Sequence, residues 1–141
     1  MATYDPKKVT CNVGNAVISG FAAGTFVEVE RSADAVAPLV GTQGEYAWAL
    51  NRDRSGVITL TLMQVSQSND VLFAMALADE QTGAGGRALT IQDLNGRTLV
   101  SSPEVRVLKT PTLSYGAEVA PREWRLVAGA LELIIGGNLL P

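Results

Sequence analysis

The 141-residue chain contains no histidine and only one cysteine. The first absence removes Ser-His-Asp and Cys-His catalytic arrangements, every imidazole metal ligand and any His general base. With Cys11 alone there is no internal disulfide and no cysteine-clustered zinc site. That residue reads as a small apolar group buried in a strand. No apolar run approaches the ~18 residues of a membrane span, so no membrane anchor is expected. The first eight residues lack the apolar centre of a signal peptide, which points to synthesis in a reducing compartment. Basic residues are scarce as well: 11 Lys and Arg stand against 14 Asp and Glu, for a net charge of −3. A duplex-DNA reader meets the phosphates with a basic face, so this balance argues against one. It is compatible with a surface past which DNA slides without sticking.

What is present is a chain of strands. At 47% hydrophobic content, 141 residues suffice for one domain with a real core, and residues 1–141 read as a single unit. The stretch from Gly56 to Glu80 organises the rest. Ile58, Leu60 and Leu62 alternate with Thr59 and Thr61, the period of a strand with one buried face, over Val57 to Val65. Ser68 and Asn69 are good N-cap residues, and Asp70 suits the first turn of a helix over about residues 69–80. Leu72, Met75 and Ala76 recur at helical spacing, as do Phe73 and Leu77, and Gly83 offers a left-handed exit. This is the one convincing helix.

Residues 1–8, with Pro6, read as an extended arm. Val9, Cys11 and Val13 alternate with polar residues, and Gly14-Asn15 turns the chain into Ala16–Ile18 as a hairpin. Thr25 to Arg31 is a strand with Val27 and Val29 inward, Glu28 and Glu30 outward. Ser32 to Gln43 reads as an apolar loop in which Pro38 prevents a long helix. Ala35, Val36, Leu39 and Val40 there need cover, from a partner or from the domain's own surface. Glu45 to Leu50 alternates Tyr46, Trp48 and Leu50 with alanines, and the charged turn 51–56 joins it to Val57–Val65 as a second hairpin. After the helix, 88–92 is a strand with Leu89 and Ile91 inward. Asn95-Gly96 suits a type I′ turn into 97–100. Glu104 to Lys109 alternates again, 122–128 sets Trp124, Leu126 and Ala128 on one side, and 130–135 reads as a strand buried on both faces. Roughly eight or nine short strands and one helix imply a mainly β antiparallel sandwich or small barrel with a flanking helix.

Catalytic equipment is missing. Gly83–Gly86 follows a helix and precedes a strand, the reverse of a phosphate loop. The carboxylates are scattered singly; the adjacent pair Asp79-Glu80 sits at a helix C-terminus, where it reads as a charged helix end. Asp93–Gly96 lacks the remaining ligands of a calcium loop and reads as a turn. The chain is therefore not expected to be an enzyme, and no metal or cofactor is expected.

The order of signals resembles one family. A charged turn ending in Ser-Gly leads to I-T-L-T-L (Ile58–Leu62), then V-S-Q-S-N-D (Val65–Asp70) enters the helix. I-Q-D-L-N-G (Ile91–Gly96), V-x-x-K-T-P (Val107–Pro111) and R-E-W (Arg122–Trp124) follow. Together, from about Val9 to Gly137, these resemble the tail tube proteins of contractile-tailed bacteriophages and prophages, with relatives in bacteriocins and type VI secretion machines. The resemblance implies a homo-oligomer: hexameric rings that stack into a hollow tube through which DNA passes without specific binding. It further implies sheath, baseplate and tail terminator proteins as partners, and a place in the virion after synthesis in the bacterial cytoplasm. Under it, residues 32–44 with Ala35, Val36, Leu39 and Val40 become the ring-stacking loop, and the arm with Tyr4 and Asp5 adds a contact. Glu28, Glu30 and Glu104 become candidates to face the lumen, by alternation alone. The alternative is a monomeric β-sandwich binding module for carbohydrate or protein, with Tyr46, Trp48 and Trp124 as stacking platforms; aromatics on alternating strands are more often core.

Overall fold

β6 (Gly56–Leu62) is the strand on which the fold turns. Gly56, Ile58, Leu60 and Leu62 are buried while Val57, Thr59 and Thr61 are half-buried, as its alternation requires. In this structure, a computed structural model describing residues 4–137, β6 lies between β3 (Val27–Arg31) and β9 (Arg122–Ala128). The remaining elements are β1 (Val9–Val13), β2 (Ala16–Ile18), β4 (Val36–Val40), β5 (Tyr46–Leu50), α1 (Ser68–Thr82), β7 (Arg87–Asp93), β8 (Leu99–Lys109) and β10 (Glu132–Ile134). An eight-stranded antiparallel sheet runs β2-β1-β7-β8-β9-β6-β3, with β10 also on β8. β4 and β5 form a separate two-stranded sheet.

One core joins the two ends of the large sheet. Cys11, Val13 and Ile18 from β1 and β2 share it with Ile58, Leu60 and Leu62 from β6, and Leu72 and Met75 of α1 close it. The sheet therefore curls over on itself into a partly open barrel with the helix packed against it. β10 continues β9: Ala128↔Val105 and Glu132↔Ser101 are offset by the same four positions on each strand, so the pairing along β8 runs on without slip. At the break Leu131 turns fully into the core.

The helix runs two residues past the expected end and stops at Gly83, whose φ of +73° lets its N–H reach the carbonyls of Ala78 and Asp79. Ser68 and Asn69 do not cap it. Ser68 Oγ instead accepts from the Ser19 amide at 2.9 Å, and Asn69 Oδ1 accepts from the Trp124 indole at 2.8 Å. Ser66 Oγ takes up the Ser68 amide in their place.

Four local readings are corrected. β8 is one strand, not two: between Arg87↔Val105 and Leu89↔Ser102, one residue of β7 faces two of β8, and this bulge accommodates Pro103, which has no N–H to pair. The turn at Asn95-Gly96 is not type I′, since neither residue has positive φ. Asp93 carboxylate there accepts from the Asn95 amide and side chain, because Asn95 is committed to holding the N-terminal segment. β10 is not buried on both faces, for Ile134 is exposed. Finally, β5 pairs with β4 and not with β6.

Candidate assembly interface

The apolar segment read as a loop over 32–44 contains a strand, and with β5 it forms a hairpin that leaves the domain. Every residue from 34 to 54 is exposed. Pro38 is tolerated because β4 pairs on one side only, across from Trp48. At the tip the Gly41 amide donates to the Glu45 carbonyl at 2.7 Å, and Gly44 turns the chain at a φ of +85°.

The base of the hairpin is stitched to the sheet. Ser32 N–H donates to Ser55 O at 3.1 Å, Arg31 Nη1 to Arg54 O at 3.1 Å, and Leu131 N–H to Arg54 O at 2.8 Å. Asp53 accepts the Ser55 amide, and that bond with the Ser55 hydroxyl holds its carboxyl below the usual range. Gly56 re-enters the sheet where a Cβ would press on Leu131 and lie 2.8 Å from the Glu30 carbonyl.

The strand period divides the hairpin into two unlike faces. Val36 and Leu50, Pro38 and Trp48, Val40 and Tyr46 make a bulky face on which the Tyr46 and Trp48 rings meet edge-on at 5.9 Å. Ala37, Ala49, Leu39 and Ala47 make a flatter one. A lone two-stranded hairpin is marginal in water, and both of these faces are apolar. Val36, Leu39 and Val40 thus stand together as the sequence suggested, with Ala35 at the hairpin's base, where its carbonyl accepts from Asn51 N–H. What the sequence reading missed is that Tyr46 to Leu50 belongs to the same surface. The signal was there: no polar residue interrupts Tyr46-Ala47-Trp48-Ala49-Leu50, so neither side of that strand suits water.

Two strand edges are also open. β3 pairs with β6 alone, and from Arg106 to Lys109 β8 pairs with β9 alone among the described residues. The four strands β3-β6-β9-β8 thus end in unpaired backbone on both sides. Glu28 and Glu30 project from the outward face of β3, in cross-strand rows with Thr59 and Arg125 and with Val57 and Val127. Glu104 lies elsewhere, on β8 with β6 and β9 between it and β3. Its carboxylate meets Arg106 at 2.7 Å, and Arg106 also pairs with Asp79 and donates to Gly83 O at 2.9 Å. These contacts raise the Arg106 pKa, the hydrogen bond Arg106 donates to Glu104 foremost.

The N-terminal segment is not a free extended arm. Asp5 N–H donates to Asn95 Oδ1 at 3.0 Å, Asn95 Nδ2 donates back to Asp5 O at 2.8 Å, and Pro6–Lys8 form a 3-10 turn. Tyr4 beside it is exposed, at the mouth of an apolar cleft between β3 and β10. The three aromatics of the binding-module reading do not converge. Trp124 is buried in the core, whereas Tyr46 and Trp48 stand on the hairpin.

Comparison with known proteins bears on these surfaces. The family model described as bacteriophage PhiTE tail tube protein matches residues 1–136. Structural protein ORF10 of Pseudomonas phage KPP10 is 29% identical over 145 residues, which span 97% of this chain and 84% of that protein. Among solved structures, the sheath/tube terminator of an extracellular contractile injection system aligns with a TM-score of 0.66 at 15% identity, covering 96% of this chain and 99% of that one. The tube-terminating cap of the anti-feeding prophage gives 0.63 at 10% identity, covering 96% and 93%. At such identities these last two likenesses are likenesses of fold.

Proposed function

Because the chain belongs to the bacteriophage PhiTE tail tube protein family, we propose that it is the repeating subunit of a hollow phage tail tube, closed in six-fold rings that stack into the conduit for DNA. It is a non-enzymatic structural protein of the phage tail. The observation that carries the finer reading is the β4–β5 hairpin, ten strand residues without cover on either face. Fully burying one large apolar side chain is worth about 1.5–3 kcal/mol. Tyr46, Trp48, Leu50, Leu39, Val40 and Val36 together therefore supply a strong drive for contact with another subunit.

The open edges support ring closure. Unpaired strand edges invite pairing with another chain, and the free edge of β3 in one copy can meet Arg106–Lys109 of β8 in the next. A ring built so would join the four-stranded segments into one closed barrel, which removes the edges. Its inner wall would then be the outward face of β3, β6 and β9, where Glu28 and Glu30 carry charge that repels phosphate. Glu104, neutralised by Arg106, would contribute little there. In this reading the hairpin, with Ala35, Val36, Leu39 and Val40, makes the contact between stacked rings, and Tyr4 and Asp5 lie at a second contact. A sheath would surround the tube, with baseplate and terminator proteins at its ends. The solved structures of similar fold include a sheath-tube complex and a sheath/tube terminator, which supports that set of partners.

The test is electron microscopy of the purified protein across a concentration series, with light scattering for mass. Hollow tubes or rings of uniform width, six-fold in averaged end views, are the expected result. Particles that stay monomeric even with preformed tube ends as seeds would overturn the reading.

A further inference from the structure

We infer that the cleft between α1 and the 110–121 connector receives the β4–β5 hairpin of a second copy of this chain, with Glu45 of the hairpin paired to Arg122 at the cleft. The inference rests on the tube reading and adds to it the seat of the hairpin and the charge pair that fixes it.

Arg122 is the starting point. It is only 5% exposed, yet among the described residues no carboxylate lies within ion-pair reach of it. A guanidinium has five N–H donors, and among the described residues this one makes a single hydrogen bond, from Nη1 to the Ala120 carbonyl at 3.3 Å. The Tyr115 ring lies 5.3 Å away as a cation–π neighbour. No side-chain nitrogen of Arg122 is both buried and unpartnered, so its unpaired N–H groups open on the cleft, where a carboxylate brought to them gains charge-assisted hydrogen bonds.

The surroundings say what should carry that carboxylate. Arg122 lines a cleft of ≈ 480 Å³ whose walls include Phe73, Leu113, Tyr115 and Trp124. Phe73, Leu113 and Tyr115 are more than half exposed, an apolar surface with no cover of its own. Asp70 lines the same cleft without reaching Arg122, and it disfavours an incoming acid anywhere but at the arginine. The fitting occupant is an apolar segment bearing one acid. The hairpin is such a segment: Glu45 follows its tip, immediately before Tyr46 of the bulky face, and pairs with no cation among the described residues.

The position of the two parts decides between the same copy and another. The hairpin leaves from the Arg31–Gly56 end of the β3–β6 ladder. Arg122 is paired with Leu62 at the far end of β6. Seven residues of strand put roughly 20 Å between those ends. Donor and receptor therefore sit on opposite poles of the subunit, the arrangement of a head-to-tail contact that repeats without limit along one direction. A tube that grows ring upon ring needs that polarity.

The test is a charge cycle read by the critical concentration for tube formation. Glu45→Gln and Arg122→Met each remove one partner without adding a charge, and Arg122→Met is chosen because an apolar chain of similar length suits a buried site. Each single variant is expected to raise the critical concentration about ten-fold or more, and the double variant to be little worse than either. Strictly additive effects in variants whose thermal melts match the wild type would overturn the pairing while leaving the tube reading intact. A second measurement avoids Arg122 altogether. Glu45→Cys and Tyr115→Cys proteins, mixed and assembled, are expected to form a mixed disulfide between copies under mild oxidation. Tubes that form from that mixture without the cross-link would overturn the proposed seat. Wild-type protein that never assembles would overturn the tube reading and this inference together.

Discussion

Cys11 lies wholly inside the barrel, between Ile18 on β2 and Ile91 on β7, and burial pushes its thiol up to about 12. The folded protein thus holds the thiol proton where the unfolded chain would release it above its ordinary value of 9.0. Stability from this group is complete below pH 9 and is lost as pH rises from about 9 towards 12, at up to about 1.4 kcal/mol per pH unit. Urea melts of wild type and Cys11→Ala across that range should converge as pH rises, because the alanine variant lacks this slope. Parallel pH profiles would mean that the thiol is not held neutral. Sequence sufficed to place Cys11 in a strand core, and the same alternation set Glu28 and Glu30 outward correctly. It did not separate Trp48 from Trp124 until each was weighed with its neighbours. Glu123 and Arg125 give the Trp124 strand a wet side, so Trp124 faces in; alanines flank Trp48 and leave its strand without one.

The hairpin is the element whose isolation from the core defines the molecule. Its base is fixed by backbone hydrogen bonds from Ser32, Asn51 and Leu131, so its ladder is anchored without burying any of its side chains. A charge placed on it should leave the fold alone and act on assembly. Leu39→Asp on the flat face and Val40→Asp on the bulky face test the two surfaces separately. If stacking uses the bulky face, Val40→Asp should abolish tubes while its melting temperature stays within a few degrees of wild type, a surface change being worth about 0.5 kcal/mol or less. Tubes that form normally from both variants would exclude the hairpin from stacking. The sequence announced that this region needed cover, yet it misassigned the pairing of β5. Strand period carries no information on which neighbour a strand takes, and the charged turn 51–56 looked like a hairpin turn when it is the return from an excursion. Pro38 hid β4 for a different reason: proline argues against a central strand, and β4 is half of a two-stranded sheet in which both strands are edges.

At the scale of the whole subunit, the sheet has a polar outward face at β3-β6-β9 and open backbone on either side of the segment that carries it. A ring closed through β3 and the end of β8 puts that face on the bore and leaves α1, with its exposed Phe73 and Leu77, away from it. The two surfaces are distinguishable by position alone, which makes the orientation testable without any functional assay. Glu30→Cys provides a thiol on the β3 face, and Cys11 stays silent because it is buried. Tubes of this variant labelled with a maleimide-linked gold cluster should show the added density within the bore in end-on averages, one cluster per subunit around the ring. Phe73→Cys, on the opposite surface, should place it on the outer wall or on a contact between copies. Gold on the outer wall from Glu30→Cys would invert the subunit. It would then be the helix side that met the DNA, and the repulsive acids of β3 would face whatever encloses the tube.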